Sequence, residues 1–142
     1  MNERMMKAYI RENLDVLSEM KDANDEFSPY DCETSEFVIE LKARKERWFP
    51  TTLIEKAKHD KLTQLAELTG RTALYAVYAG GTIYFFNLNR LKKEGYDYHW
   101  QKKNCKTTAE FGNTDYVPKR VGFIAWNQAK VALKVNTEEV PF

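Results

Sequence analysis

Asp31, Glu40 and Lys42 are the residues whose types and spacing could do chemistry. Two carboxylates beside an ammonium can hold a divalent metal and a water against a phosphodiester. The residues around them predict that they meet. From Phe37 to Lys42 the chain alternates, with Phe37, Ile39 and Leu41 on one side and Val38, Glu40 and Lys42 on the other. Side chains in a strand point to opposite faces with period two, so Glu40 and Lys42 share a face. Upstream, Tyr30, Cys32 and Thr34 alternate with Pro29, Asp31 and Glu33. A two-residue turn at Ser35-Glu36 sets Thr34 opposite Phe37, Cys32 opposite Ile39, and Asp31 opposite Glu40. Opposed residues of an antiparallel pair have Cβ atoms about 4.5–5.5 Å apart. That register gathers Asp31, Glu33, Glu40 and Lys42 on a polar face and sends Cys32, Phe37, Ile39 and Leu41 to the core. A slip of one residue would mix the carboxylates with the apolar set, which burial forbids. Ser-Glu is not a favoured two-residue hairpin pair, so a longer loop stays open.

Opposed carboxylates repel unless a cation sits between them. Their hard oxygens suit Mg²⁺ or Mn²⁺, which bind through one or two carboxylates, waters and substrate phosphates. Lys42 could orient the water or neutralise developing charge; it could act as a base only with a strongly lowered pKa. The purely structural alternative is a half-exposed strand with a charged outer face. Glu-x-Lys by itself is weak, because Glu19-Met20-Lys21 repeats it inside a helical pattern.

Asp31, then Glu40-Leu41-Lys42 after eight intervening residues, then an amphipathic helix and a strand, resembles the PD-(D/E)XK nuclease superfamily. The usual Pro-Asp pair is interrupted here, since Tyr30 separates Pro29 from Asp31. The resemblance implies a restriction-endonuclease-like core of helix, three strands, helix and strand. It implies Asp31 and Glu40 as metal ligands joined by the Leu41 carbonyl, Lys42 as the catalytic lysine, and a 5′ phosphate product. Glu33 would be a third acid or second-metal ligand. Family members often add an acid from the first helix, and Glu3 alone lies in the right sector; near the helix start it competes with a frayed, solvated reading. The second helix often lends a polar side chain, for which Lys58 is the first choice and Lys61 the second.

The positioning elements follow from periodicity. Met6, Ile10, Leu14 and Leu17 predict a helix over residues 3 to about 21, with a polar break from Asp22 to Glu26. After Pro50, Thr51 or Thr52 can cap a second helix running to Thr69, where Gly70 ends it. Its expected stripe is Ile54, Ala57, Leu65 and Leu68, with Lys58 and Lys61 inside it and His59 on the solvated side. Thr72–Ala79 reads as a central strand, Gly80-Gly81 as a turn, and Thr82–Leu88 as its partner. Val121–Trp126 is a further strand and Thr107–Pro118 a loop; Asn127–Val135 fits either helix or strand. The expected fold is a single α/β domain over 1–142, a mixed central sheet flanked by helices with a C-terminal β-rich extension and a flexible tail at 136–142.

Composition narrows the partners. The two cysteines, Cys32 and Cys105, have no metal-like spacing, so neither a disulfide framework nor zinc is expected. Two histidines and scattered serines leave little for a nucleophilic hydrolase. With no signal peptide and no apolar run approaching the ~20 residues of a membrane span, the expected location is cytoplasmic. The net charge of +1 hides a split: residues 1–40 hold 4 basic and 11 acidic residues, the remainder 18 and 10. A basic surface for a polyanion follows, with nucleic acid, DNA favoured, as the expected partner. Arg44, Lys45, Arg47 and Lys58 are the near phosphate contacts, and Lys102 and Lys103 lie in a second basic cluster. Tyr96, Tyr98 and Trp100 sit among those lysines at period two. They read first as an aromatic face packed on the core and second as a base-stacking surface. So small a domain suggests structure-selective cleavage, a homodimer or a recruiting partner, and fits a viral or mobile-element protein. A nucleic-acid binder without turnover and a plain interaction module remain the rivals.

Overall fold

The computed structural model describes residues 1–25, 28–45, 49–106 and 116–136. In chain order these form α1 (Glu3–Asn13), a 3-10 turn (Asp15–Leu17), β1 (Lys21–Asp22), β2 (Cys32–Glu33), β3 (Phe37–Ala43) and β4 (Thr51–Glu55). There follow α2 (Lys56–Thr69), β5 (Thr72–Ala79), β6 (Thr82–Asn87), α3 (Leu88–Lys93), β7 (Gln101–Lys106), β8 (Tyr116–Ala125), a second 3-10 turn (Trp126–Gln128) and β9 (Val131–Lys134).

The hairpin of β2 and β3 turns on Ser35-Glu36, and Cys32 pairs with Ile39. The Thr34 hydroxyl makes this sequence workable. Its Oγ1 accepts the backbone N–H groups of Glu36 (3.1 Å) and Phe37 (2.9 Å), satisfying two turn donors that glycine-rich turns leave to water. β3 then pairs in parallel with β5, and the crossover between them carries β4 and α2. Gly80 and Gly81, at φ +57° and +85°, give the left-handed two-residue turn that returns β5 into β6. The result is a mixed sheet in the order β1-β2-β3-β5-β6-β9 and a separate antiparallel sheet, β4-β8-β7. Helix α1, strands β1 to β3, α2 and β5 follow the order of a restriction-endonuclease-like core, with β4 inserted ahead of α2.

Both faces of the mixed sheet are covered. Met6 and Ile10 of α1, with Leu17, pack on Cys32, Ile39, Leu41, Ala76 and Phe85. On the other face Val38, Ala73, Tyr75 and Val77 meet Leu62 and Ala66 of α2, Leu88 and Leu91, and Ile54, Ile124 and Trp126 of the smaller sheet. The face expected to be polar is therefore buried at Val38 and opens only towards Glu40 and Lys42. Tyr9 ties α1 to the last strand: its hydroxyl donates to the Lys134 carbonyl and accepts the Asn136 N–H, both at 3.0 Å.

Several boundaries differ from the sequence reading. The first helix stops at Asn13, because Leu14 turns extended (φ −128°) and Leu17 reaches the core from the 3-10 turn. The second starts three or four residues late, its N-cap falling at Glu55 and not at Thr51 or Thr52. Thr51–Glu55 pairs residue by residue with β8, and the run Thr51-Thr52-Leu53-Ile54, β-branched at all but Leu53, buries Thr52 and Ile54 by alternation. With Ile54 withdrawn, the helix turns a different stripe inward, namely His59, Leu62, Thr63 and Ala66, and leaves Leu68 85% exposed. Residues 127–135 resolve into a 3-10 turn and a strand, and residues 116–118, expected as loop, extend β8. The rest of that loop, Arg47, and the expected tail beyond Asn136 lie outside the described residues. Among the described residues no helix is long and apolar enough to cross a membrane.

Candidate active site

Asp31 and Glu40 face each other at the end of the β2–β3 ladder, beside a cleft of about 670 Å³. Asp31 is fixed from two sides. Its N–H donates to the Ile39 carbonyl at 2.9 Å, and its Oδ2 accepts the Leu41 N–H at 2.8 Å. Glu40 has one face on Asp31 and the other on α2, where Lys58 Nζ lies 2.7 Å from Oε2. The Glu40 side chain is only 13% exposed. Its carboxyl is pushed up to about 8, by burial first and by hydrogen bonding to Asp31 second, with Lys58 acting in the opposite direction. Burial and the neighbouring Asp31 thus make the Glu40 carboxyl harder to ionise than an ordinary glutamate, and Lys58 offsets part of that effect.

Lys42 lines the same cleft two residues on, as strand alternation requires, and the Leu41 backbone lies at its floor. Glu3 joins from the first turn of α1, which Asn2 caps by accepting the Met5 N–H at 2.9 Å. Its carboxyl is raised by burial and then by the Asp31 charge, against the pull of Lys42, Lys7 and Lys58. Glu3 is thus in the electrostatic field of the acid pair. Glu55, Tyr75 and Lys119 complete the walls. Lys119 Nζ is 2.8 Å from Glu55 Oε1, and this hydrogen bond raises the lysine pKa. The Tyr75 hydroxyl donates to the Leu53 carbonyl at 3.1 Å, and burial lifts it to about 12.

The other expected residues are distributed more widely. Arg44 lines the cleft, but its guanidinium also staples β3 to β4 through Thr52 Oγ1 (3.0 Å) and the Leu53 carbonyl (2.8 Å). Lys45 is exposed just beyond it. Lys58 points into the cleft while Lys61 points to solvent. Glu33 stands apart from the acid pair. It accepts the Tyr30 hydroxyl, lies 3.6 Å from Arg71 Nη1, and lines a different cavity. Lys102 and Lys103 are on β7 in the second sheet, and Lys103 borders a separate apolar pocket.

His59, expected in solvent, is buried. Its Nδ1 is 3.0 Å from Asp60, and its ring meets the rings of Tyr98 and Trp100 edge-on. Burial is the main cause that lowers its pKa. Tyr98 and Trp100 stack on each other at 4.6 Å, so these aromatics belong to the packing reading. Residues 96–100 are irregular, not a strand.

Sequence reasoning missed Glu55, Tyr75 and Lys119. Tyr75 reaches the site because parallel pairing sets it beside Glu40, and no local pattern specifies that register. Glu55 was assigned to a helix; read as a strand end, it falls opposite Val121, two residues from Lys119.

The donor set fits a hard divalent ion in one particular way. Among the described residues no three acid, histidine or cysteine side chains form a ready-made cage. Two carboxyls within hydrogen-bonding reach, with an ammonium already drawn to one of them, form a pair that a cation would stabilise. Mg²⁺ needs no more protein ligands than such a pair when waters and phosphates supply the rest.

No family model matches the sequence, and no curated protein matches it. Among solved structures, the chain is similar to the Holliday junction resolvase Hjc of Archaeoglobus fulgidus, at 15% identity over 84% of this chain and 93% of that one, with a TM-score of 0.47.

Proposed function

We propose that this protein is a divalent-metal-dependent nuclease that hydrolyses phosphodiester bonds, a DNA endonuclease of recombination, repair or viral type. The observation that carries the reading is the Asp31–Glu40 carboxyl pair, set in one cleft with Lys42 and Lys58, in which Glu40 is buried and held above its ordinary pKa. Asp31, Glu40 and the Leu41 carbonyl would hold Mg²⁺ or Mn²⁺. Bound there, the ion would supply a polarised phosphate oxygen and an acidified water.

The chain's own groups divide the remaining work. Asp31 needs no reorganisation to act, since the Leu41 N–H already orients its carboxyl. Glu40 must lose its proton for the pair to bind a dication. Lys42, on the same face, orients the attacking water or neutralises the charge that builds on the phosphate. Lys58 can move from Glu40 to a phosphate oxygen, and Arg44 and Lys45 continue the basic edge along the substrate strand. Glu3 is placed to receive a proton or to bind through water.

The first test is cleavage of single-stranded, duplex and branched DNA and of RNA, with and without Mg²⁺ or Mn²⁺, beside Glu40→Ala and Asp31→Asn. Metal-dependent cleavage that both variants lose is the expected result. Turnover equal in wild type and variants, or no turnover on any substrate, would sink the catalytic reading. The second reading is a nucleic-acid binder without turnover, and the Lys58–Glu40 ion pair favours it, because that lysine already neutralises the acid. It predicts binding that survives EDTA and no cleavage.

A further inference from the structure

Beside the acid cleft lies a second pocket of about 510 Å³, within the range that takes a small organic ligand. Phe49, Pro50, Phe123 and Trp126 form its apolar walls, and Arg44 and Lys103 are its charged residues. We propose that this pocket binds an unpaired nucleobase, so that the substrate class of the nuclease proposed above, on which this inference rests, is single-stranded or branched nucleic acid.

Three observations point to that occupant. Arg44 and Leu53 line both the pocket and the acid cleft, so a base in one and a phosphate in the other can belong to the same strand. The charges are one-sided among the described residues: four acids line the acid cleft, whereas this pocket has none, only an arginine and a lysine. That combination of aromatic surface and cation suits a nucleotide, whose base stacks while its phosphates pair with the cations. Finally, Phe49 is 71% exposed yet its backbone is held in place. The Trp126 indole N–H donates to the Phe49 carbonyl at 2.6 Å, and the Trp126 backbone N–H to the Pro50 carbonyl at 3.3 Å. An exposed ring on an anchored backbone at the rim of a cationic pocket can serve as a stacking platform. Tyr96, Tyr98 and Trp100, the aromatics that the sequence offered for this task, are packed against one another instead. A base inside a duplex stays in its own stack, so only an unpaired base gains from the pocket.

The test is fluorescence titration with Ca²⁺ replacing Mg²⁺ to hold turnover down, and in parallel with EDTA. The probes are a single strand carrying 2-aminopurine, a blunt duplex, and a duplex with a single-stranded arm. In wild type the arm and the single strand should bind more tightly than the blunt duplex, and 2-aminopurine emission should be quenched. Phe49→Ala, which removes an exposed side chain and leaves the backbone carbonyl in place, should weaken single-strand binding about tenfold and abolish quenching, with duplex binding little changed. Lys103→Ala should weaken the single strand about threefold through one lost phosphate contact. Wild-type affinity and quenching in Phe49→Ala, or equal wild-type affinity for blunt duplex and single strand, would overturn the pocket while leaving the nuclease reading intact. No binding to any probe by wild type would overturn both.

Discussion

The Glu40 carboxyl meets another carboxyl, an ammonium and little water, and these neighbours set how it titrates. In the folded protein it is pushed up to about 8, above the ordinary glutamate value of 4.5, so the folded state binds its proton more tightly than the unfolded chain does. The stabilising share of that proton is complete below about pH 4.5 and is lost as pH rises towards 8. Glu40→Gln has no proton to lose there. Relative to wild type it should gain about 2–3 kcal/mol between pH 5 and pH 9, less than the full shift because Lys58 relaxes. Urea midpoints at the two pH values measure this, and parallel curves for the two proteins would mean that Glu40 ionises normally. Lys58→Met removes the competing cation but also the group that holds the Glu40 pKa down, so in alkaline buffer, where the carboxyl is ionised, Mn²⁺ should bind a few-fold more tightly by calorimetry while oligonucleotide affinity falls; unchanged metal affinity there would show that the ammonium does not compete. Asp31, Glu40 and Lys42 were legible because period two dictates a shared face. Glu33 has the same parity, but parity cannot say which polar residue a distant partner will claim, and Arg71 enters from the α2–β5 turn.

Between elements, a tight fit lies where β8 passes residues 98–100. A Cβ on Gly122 would lie 2.6 Å from the Trp100 ring and 2.7 Å from Tyr98 Cβ. Gly122→Ala should therefore cost about 1–3 kcal/mol, read as a lower melting temperature, because two stacked rings must shift together. A variant as stable as wild type would show that the aromatic cover is loosely seated. The same region explains why α2 was read with the wrong face inward. Thr51–Glu55 becomes a strand because β8 is there to pair with it, and that partner lies about 70 residues away in the chain. The caps and glycine turns at Gly70 and Gly80-Gly81 were legible because they are local. Pairings with β8 and β9 were not, since nothing near residues 51 or 131 announces them.

At the scale of the molecule, the charge split becomes spatial. Lys42, Arg44, Lys58 and Lys119 line the acid cleft and Lys103 the adjoining pocket, so cations from beyond residue 40 frame Glu3, Asp31 and Glu40 of the acidic amino-terminal segment, with Glu55 as a lining acid from the basic part. If about four of these cations meet phosphates, single-strand affinity should fall with salt at a log–log slope of about −3. Fluorescence anisotropy at increasing salt gives the slope, and a flat profile would exclude phosphate contacts as the source of affinity. The layered α/β architecture was readable from alternation and turns. The cleft was readable only in part, because three of its walls come from strands whose partners are remote.

Tyr9 gives this architecture a mechanical property. One hydroxyl bridges Lys134 and Asn136 to the helix whose first turn bears Glu3, while Val135 N–H is held by the Gly81 carbonyl at 2.9 Å. The outermost strand is thus a handle: peeling β9 from β6 tugs α1, and α1 carries an acid of the cleft with it. An edge remote from the cleft is in this way tied to the position of a group that lines it.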